Sequence, residues 1–380
     1  MITIRAFYFI YYAAAASLIP FLTLYYQGLG LTGREIGVLT GISPLMTLVG
    51  ASVWSLLADL TQKHRALFLV GIVGAWGSVF LLSQIKTFAL LIPAVVAYAF
   101  FLAPVMPLLD NSVMVLLGKE NTGYGRFRVW GAYGWGVAAA TTGWLLQQTD
   151  LHWIFTIYLA LLLVLLLIST RLPIQQTGSQ PNFWRGLGQL LTNRRWLLFL
   201  TVALVEGMSL SIFLNYLFLH LESMGASRVV MGLSLTIATI SEIPIFLYSS
   251  RLLRRGAPFL LAVSLGIMVI RAFAYASMTA PWQVLLISLL HGPTFSAMWS
   301  AGVAYANETA VSGLSATAQG VFNGTVLGLG SALGAVVGGF LYDSSGAVVA
   351  FQWAGWATLA ALIIFVGVHR QSLIKIPASR

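Results

Sequence analysis

The sequence predicts an all-α integral membrane protein with twelve transmembrane helices in two pseudo-symmetric six-helix halves. Hydrophobic residues make up 59% of the 380-residue chain and charged residues only 8%, whereas soluble domains carry roughly 25% charged residues. Long apolar runs such as IYLALLLVLLLIST (157–170) do not alternate with period two, so they indicate helices and not barrel strands. A bilayer core takes about 20 apolar residues per helix, and the chain contains twelve such segments.

The twelve apolar segments are separated by loops that contain charged residues, glycine or proline. They lie near 6–27, 35–57, 66–85, 88–117, 129–147, 152–170, 196–220, 229–250, 257–279, 282–306, 316–341 and 347–368. The longest polar interruption, RLPIQQTGSQPNFWRGLGQLLTNRR (171–195), follows the sixth segment. We therefore expect an N-terminal half at 1–170, a cytoplasmic linker at 171–195 and a C-terminal half at 196–380. The first segment lacks a small-residue cleavage site, which favours a retained helix over a signal peptide.

An internal repeat supports the division into halves. Four glycines recur 195 residues later in corresponding segments. The pairs are Gly30 and Gly225, Gly37 and Gly232, Gly125 and Gly320, and Gly143 and Gly338. Any one pair is a weak signal because glycine is common in this chain. Four pairs at a single offset favour the parallel repeat that builds two-lobed transporters.

The lysines and arginines predict the orientation of the chain in the membrane. With the N-terminus in the cytoplasm, sixteen of the 20 lie on the cytoplasmic side and three outside, as the positive-inside rule requires. We therefore expect both termini in the cytoplasm of a bacterium, with the chain in its inner membrane. The net charge of +10 then belongs to loops, and no nucleic-acid partner is expected. The chain has no cysteine and no Walker, metal-ligand or nucleophile–His–Asp pattern, so no cofactor or metal is expected.

The loop after the second segment, WSLLADLTQKHR (54–65), has an acidic residue followed by clustered basic ones. With twelve segments split six and six, it resembles the signature of the major facilitator superfamily. The match is partial, because Asp59 is flanked by alanine and leucine and a histidine precedes Arg65. RLLRRG (251–256), with Arg254, occupies the equivalent place in the second half. We expect Asp59, Arg65 and Arg254 to contribute to a cytoplasmic gate.

Five longer stretches resemble one branch of that superfamily, the nucleoside, phenylpropionate and lactose/oligosaccharide proton symporters. They are PVMPLLDNS (104–112), YGRFRVWGAYGWG (124–136), SEIPIF (241–246), LLHGPTFSA (289–297) and GGFLYDSSG (338–346). The likeness spans nearly the whole chain. It implies the major facilitator fold and proton-coupled uptake, but it does not identify the substrate.

Four ionisable residues of the second half are predicted to lie at one depth in the membrane. In a helical hairpin, residues equally far from the connecting loop lie at similar height. By this count Glu206, Glu242, Arg271 and His291 form one layer. A charge at mid-bilayer costs roughly 2.5–3.5 kcal/mol and marks a functional site by default. The alternative is that Glu242 and Arg271 only neutralise each other and hold two helices together.

The glutamate, arginine and histidine also resemble the proton-coupling residues of the lactose/oligosaccharide symporters. That resemblance implies a role in proton coupling and substrate affinity for Glu242, Arg271 and His291. The family pattern has a glutamate one turn after the histidine, where this chain has Thr294. The proton carrier is therefore expected to be Glu242 or Glu206.

The first half offers Asp110 and Asn111 in the fourth segment as candidate substrate contacts. Arg126 and Arg128 follow the next loop, at a height that differs from that of Asp110 by about 6 Å, which an arginine can span. Two interpretations remain open: substrate contact, or structural pairing at the cytoplasmic gate. YGRF (124–127) is also typical of a membrane-edge anchor.

Five further polar or aromatic residues are weaker candidates for substrate contacts, with helix packing as the alternative. They are Tyr11, Asn215, Trp299, Gln319 and Asn323. The function that we predict is a proton-coupled symporter that imports a small polar or aromatic solute, such as a sugar, nucleoside or aromatic acid, by alternating access. Its expected partners are that solute, protons and the lipid bilayer, and we expect a monomer. The alternatives are an exporter of the same fold and a membrane-embedded enzyme.

Overall fold

The structure is a computed structural model that describes residues 1–117, 124–172, 174, 193–310 and 314–374. Most of the predicted linker at 171–195 lies outside these residues. The described residues form helices and turns and contain no strand. They make up twelve helices, six in each half, which confirms the predicted fold class. The helices of the first half are α1 (Ile2–Gly28), α2 (Gly33–Thr61), α3 (His64–Gln84), α4 (Phe88–Leu117), α5 (Tyr124–Gln148) and α6 (Trp153–Ser169).

Six helices also form the second half. They are α7 (Arg194–Ser223), α8 (Arg228–Leu247), α9 (Ala257–Ala276), α10 (Gln283–Thr309), α11 (315–345) and α12 (347–374). α11 and α12 are continuous in sequence and are separated by a kink at Gly346. The φ of Gly346 is 83°, a positive value that glycine adopts without a Cβ penalty.

Nine helical stretches of the described residues are long and apolar enough to cross a membrane, and the stretch at 317–370 is long enough to do so twice. α6 is shorter but strongly apolar. α5 is less apolar because it is rich in glycine and begins with two arginines. Its glycines permit close packing on α1: a Cβ on Gly134 would lie only 2.1 Å from the carbonyl oxygen of Phe9.

Side-chain caps explain where two helices begin. The Thr32 hydroxyl accepts from the backbone N–H of Glu35, and the Glu35 carboxylate accepts from the backbone N–H of Thr32, 2.8 Å away. This capping box starts α2. The Asn193 side chain accepts from the backbone N–H of Arg195 at 3.0 Å and starts α7.

The contacts divide the chain into two compact units. The first contains Met1–Ser179 and Ser227–Thr236, and the second contains Gln180–Ala226 and Ile237–Arg380. The start of α8 therefore belongs to the first unit, where the backbone N–H of Arg228 donates to Gln147 Oε1 at 2.8 Å. Gly143 of α5 and Gly232 of α8 permit this approach, since a Cβ on Gly232 would lie 2.3 Å from the carbonyl oxygen of Ala139.

The second unit has a large apolar core along α7. Trp196, Phe199, Tyr305, Phe322 and Phe365 are buried together there. Lipid is as apolar as these side chains, so close packing and not exclusion of water holds such helices together. The core therefore makes a rigid support for the polar groups further along α7 and α10.

Candidate functional site

Glu242 of α8 and His291 of α10 meet in the second unit. His291 Nε2 lies 3.2 Å from Glu242 Oε1, and the side chains are 22% and 18% exposed, respectively. The ring of His291 also stacks on Phe295, with centroids 5.5 Å apart. A carboxylate and an imidazole in contact can share and exchange a proton, so this pair is suited to proton coupling.

The backbones of α8 and α10 approach closely beside this pair. The backbone N–H of Gly292 donates to Ser241 Oγ at 2.8 Å. A Cβ on Gly292 would lie 1.9 Å from the carbonyl oxygen of Ser241. Pro293 cannot donate a helical hydrogen bond, and α10 widens into a π-type turn over Gly292–Ser296. Neither Ser241 nor Gly292 was a sequence candidate, although HGP inside an apolar segment signals a break.

Arg271 of α9 is buried, with 4% exposure, and it is not paired with Glu242. Its Nη1 donates to Thr294 Oγ1 at 3.0 Å and its Nη2 to the Tyr275 hydroxyl at 3.3 Å. The guanidinium carbon lies 5.3 Å from the ring centroids of both Phe213 and Tyr275, which stabilises the cation. The structural pairing of Glu242 with Arg271, one of the two interpretations of the sequence, is not made here.

Glu206 of α7 is 1% exposed, and neither carboxyl oxygen has a hydrogen-bond partner among the described residues. Arg271 interacts electrostatically with both Glu206 and His291. The hairpin counts thus selected groups that do lie near one another. Which of them make direct contact depends on the direction in which each side chain leaves its helix, and hairpin counts do not contain that direction.

A second polar cluster lies in the first unit. Arg128 Nη1 lies 3.2 Å from both Asp110 Oδ2 and the Tyr124 hydroxyl. The hydroxyl of Tyr8, which is fully buried, donates to Asp110 Oδ1. Arg128 is 45% exposed and Asp110 26% exposed. The cluster is therefore an open ion pair fixed by two tyrosines, and neither tyrosine was a sequence candidate.

Aromatic side chains border the Asp110–Arg128 pair. The guanidinium carbon of Arg128 lies 5.8 Å from the ring centroid of Tyr12. Tyr12 packs against Gly131, where a Cβ would lie 2.5 Å from its ring. Tyr11, a sequence candidate, is partly exposed with its ring 5.3 Å from that of Tyr12. Asn111 and Arg126, also candidates, are exposed.

The remaining candidates are spread along α7, α10 and α11. Asn215 is buried, and its amide donates to the Ser211 carbonyl oxygen at 2.8 Å. Gln319 donates to Asn307 Oδ1 at 2.6 Å, so both amides make helix contacts. Trp299 is partly exposed between the rings of Phe295 and Phe322.

Asn323 differs from the other two amides. Its Oδ1 is buried and has no partner among the described residues. It lies at the end of the α-helical turns of α11, just before a π-type stretch at Gly324–Gly330. An acceptor without a donor is costly to bury, so Asn323 stays a candidate for substrate contact.

The predicted gating residues lie at helix ends. Asp59 and Arg254 are exposed, and Arg65 Nη2 donates to the carbonyl oxygen of Thr170 at 2.5 Å. Arg65 therefore ties the start of α3 to the end of α6 within the first unit. Within the described ranges, no group of three or more His, Cys, Asp or Glu residues could hold a metal ion.

Comparisons with known proteins agree with this arrangement. The chain is 27% identical over 342 residues to the maltose permease of Geobacillus stearothermophilus, covering 89% of this chain and 86% of the permease. It is 24% identical over 359 residues to the probable 3-phenylpropionic acid transporter of Escherichia coli K12, covering 89% and 90%. The crystal structure of the nucleoside transporter NupG superposes with a TM-score of 0.81 at 17% identity, covering 98% and 99%, a likeness that shows the fold.

The family model described as the MFS_1 like family matches residues 1–353. That match spans eleven of the twelve helices and both polar clusters. The chain therefore belongs to the MFS_1 like family and is a membrane transporter of the major facilitator fold.

Proposed function

We propose that the chain is a proton-coupled symporter that imports a small neutral solute bearing hydroxyl groups, a sugar or a nucleoside, by alternating access. The observation that carries this proposal is that each partly exposed charge in the two clusters already has an opposite or titratable partner. These pairs are Asp110 with Arg128, and Glu242 with His291.

The Glu242–His291 pair supports coupling to protons. A net charge carried through the bilayer interior is costly, so the transporter reorients more easily when a carboxylate of the second unit has bound a proton. The two side chains are partly exposed, which leaves them open to protons. Glu242 and His291 are the residues through which solute binding and protonation are linked in this proposal.

The Asp110–Arg128 pair supports a neutral solute. Asp110 accepts hydrogen bonds and Arg128 donates them, which suits adjacent hydroxyl groups. The ring of Tyr12 beside Arg128 provides an apolar face for a sugar ring or a base. An aromatic carboxylate would need an accessible cation without a carboxylate partner. Arg271, which has no carboxylate partner among the described residues, is buried in this conformation.

Uptake by proteoliposomes tests the proposal. Vesicles are given a pH gradient of either sign and offered labelled maltose, uridine or 3-phenylpropionate. We expect accumulation of one neutral solute when the outside is acidic, and loss or a changed pH profile of that accumulation in Glu242→Gln. Glu222→Gln, an exposed glutamate at the outer end of α7, is the matched control and should behave like the parent.

The other outcomes identify the alternatives. Accumulation of phenylpropionate alone would contradict the neutral solute. Solute movement against the proton flow would indicate an exporter, and chemical change of the label would indicate an enzyme. If Glu242→Gln kept accumulation with an unchanged pH profile, the role proposed for the Glu242–His291 pair would be wrong.

We also propose that the protein is a monomer in a bacterial inner membrane, with both termini in the cytoplasm.

A further inference from the structure

Two ionisable side chains of the second unit are buried with hydrogen-bonding capacity unused. Glu206 is 1% exposed, and neither carboxyl oxygen has a partner among the described residues. Arg271 is 4% exposed, and its Nε–H has no partner there. Each group could therefore fill the hydrogen-bonding capacity that the other leaves unused.

Arg271 is held in place by hydroxyl groups and not by a carboxylate. Thr294 Oγ1 accepts from its Nη1, while the Thr294 hydroxyl proton points to the carbonyl oxygen of Leu290 or His291, each 2.9 Å away. The Tyr275 hydroxyl accepts from Nη2. These neutral partners orient the guanidinium but leave its charge without a carboxylate counter-ion among the described residues.

The contacts that α7 makes at Gly207 and Ser209, just after Glu206, involve groups that do not titrate, and Arg271 is the charged group that interacts with Glu206. On α11, Val326 packs on Gly207, where a Cβ would lie 2.3 Å from the Val326 carbonyl oxygen. On α12, the Thr358 hydroxyl lies 3.1 Å from Ser209 Oγ. Neither neighbour titrates. From α9, Arg271 interacts electrostatically with Glu206, and from α10 His291 interacts with Arg271 and contacts Glu242 of α8.

We propose that Glu206 carries the transported proton and is the exchangeable counter-ion of Arg271. In this conformation Glu206 is the neutral acid, set apart from Arg271. In the conformation that releases the proton, its carboxylate pairs with the open Nε side of Arg271. The inference rests on the proposed symport and assigns its proton to Glu206, leaving the Glu242–His291 pair to link that proton to the solute.

The energetics of burial favour this exchange. A buried ionised carboxylate without any hydrogen bond is far more costly than the same group as a neutral acid. Pairing with a guanidinium removes that cost through charge-assisted hydrogen bonds. Protonation and pairing are thus two alternative ways to satisfy Glu206, and they require different positions of its side chain. Arg271 is available for pairing because Thr294 presents a hydroxyl to it and not a fixed charge.

The proton balance is simple. On one side of the membrane, the Glu206 carboxylate takes a proton from hydronium, which forms the carboxyl O–H bond and leaves water. On the other side, that O–H bond breaks and the proton returns to water, while the carboxylate pairs with Arg271. One proton crosses in each cycle, and no other bond forms or breaks.

Two transport assays on the full chain in proteoliposomes test the proposal. Counterflow exchange of labelled for unlabelled solute needs no net proton movement, whereas accumulation driven by a pH gradient does. We expect Glu206→Gln, which mimics the neutral acid, to keep counterflow and to lose gradient-driven accumulation. Glu222→Gln on the same helix should keep both. Accumulation that survives in Glu206→Gln overturns the inference.

A second measurement detects the proton directly and keeps the test independent of transport. The infrared carbonyl band of a protonated carboxyl group should be present in the parent and in Glu222→Gln at neutral pH, and absent in Glu206→Gln. Persistence of the band in Glu206→Gln overturns the inference.

The outcomes separate this inference from the proposed function. If the parent protein shows counterflow but no accumulation under any pH gradient, the proposed symport itself fails. If the parent accumulates solute and Glu206→Gln does so equally well, the symport stands and only the assignment to Glu206 is wrong.

Discussion

Tyr8 shows how one buried hydroxyl can set the properties of an open ion pair. Its hydroxyl donates to Asp110 from a fully buried position on α1. A hydrogen bond to a charged group contributes about 1.5–3 kcal/mol, and the partly exposed pair lies at the low end of that range because water screens it. Tyr8 therefore orients the carboxylate that is proposed to contact the solute.

We expect Tyr8→Phe to weaken solute binding about tenfold, since a loss of 1.4 kcal/mol corresponds to that factor. Binding to purified protein, measured by calorimetry with the solute found in the uptake screen, checks this value. Tyr26→Phe is the matched control, because the Tyr26 hydroxyl on the same helix is buried without a partner among the described residues. Equal affinities of the two variants would mean that Tyr8 does not position Asp110.

Gly292 is the second decisive single residue, because its missing Cβ lets α8 and α10 approach beside the Glu242–His291 pair. A methyl group there would lie 1.9 Å from the Ser241 carbonyl oxygen. We expect Gly292→Ala to cost about 1–3 kcal/mol of stability, as overpacking does. A lower thermal unfolding temperature and reduced gradient-driven uptake should appear together. Gly266→Ala, whose Cβ would meet Leu362 at 4.0 Å, should leave both unchanged.

At the scale of helices, the transmembrane helices could be predicted because a run of twenty apolar residues has few stable structures other than a helix that spans the membrane. The breaks within helices were less predictable. The π-type turns at Gly292–Ser296 and Gly324–Gly330 fall inside apolar segments, and the HGP sequence is a local signal for the first of them. Hairpin counts predict height along the membrane, which brought Glu206 and Arg271 together. They do not predict rotation about a helix axis, so the Arg271 contacts with Thr294 and Tyr275 were missed.

Gly346 provides a test at this scale, since it separates α11 from α12 with a φ of 83°. No atom lies within 4 Å of a Cβ added there, so the cost of a side chain is backbone strain alone. We expect Gly346→Ala to destabilise the protein by about 1–3 kcal/mol, because a positive φ with a ψ of 173° is essentially restricted to glycine. Gly320→Ala, a helical position that also has open space, should be neutral or slightly stabilising. Thermal unfolding in detergent compares the two.

At the scale of the whole molecule, the distribution of charge predicts the topology. Lysines and arginines gather in the loops predicted to be cytoplasmic, and the three predicted to face outward are Arg34, Lys86 and Arg228. This asymmetry acts on the chain as it inserts and does not depend on the substrate. Topology can therefore be tested before any solute is identified.

The absence of cysteine from the chain makes this test free of background. We expect a membrane-impermeant maleimide to label Glu222→Cys, in the last turn of α7, in intact cells. Arg251→Cys, after α8, should be labelled only when the membrane is opened. The reason is that one helix, α8, separates the two positions, so they must face opposite sides. Labelling of Arg251→Cys alone in intact cells would reverse the topology and place most lysines and arginines outside.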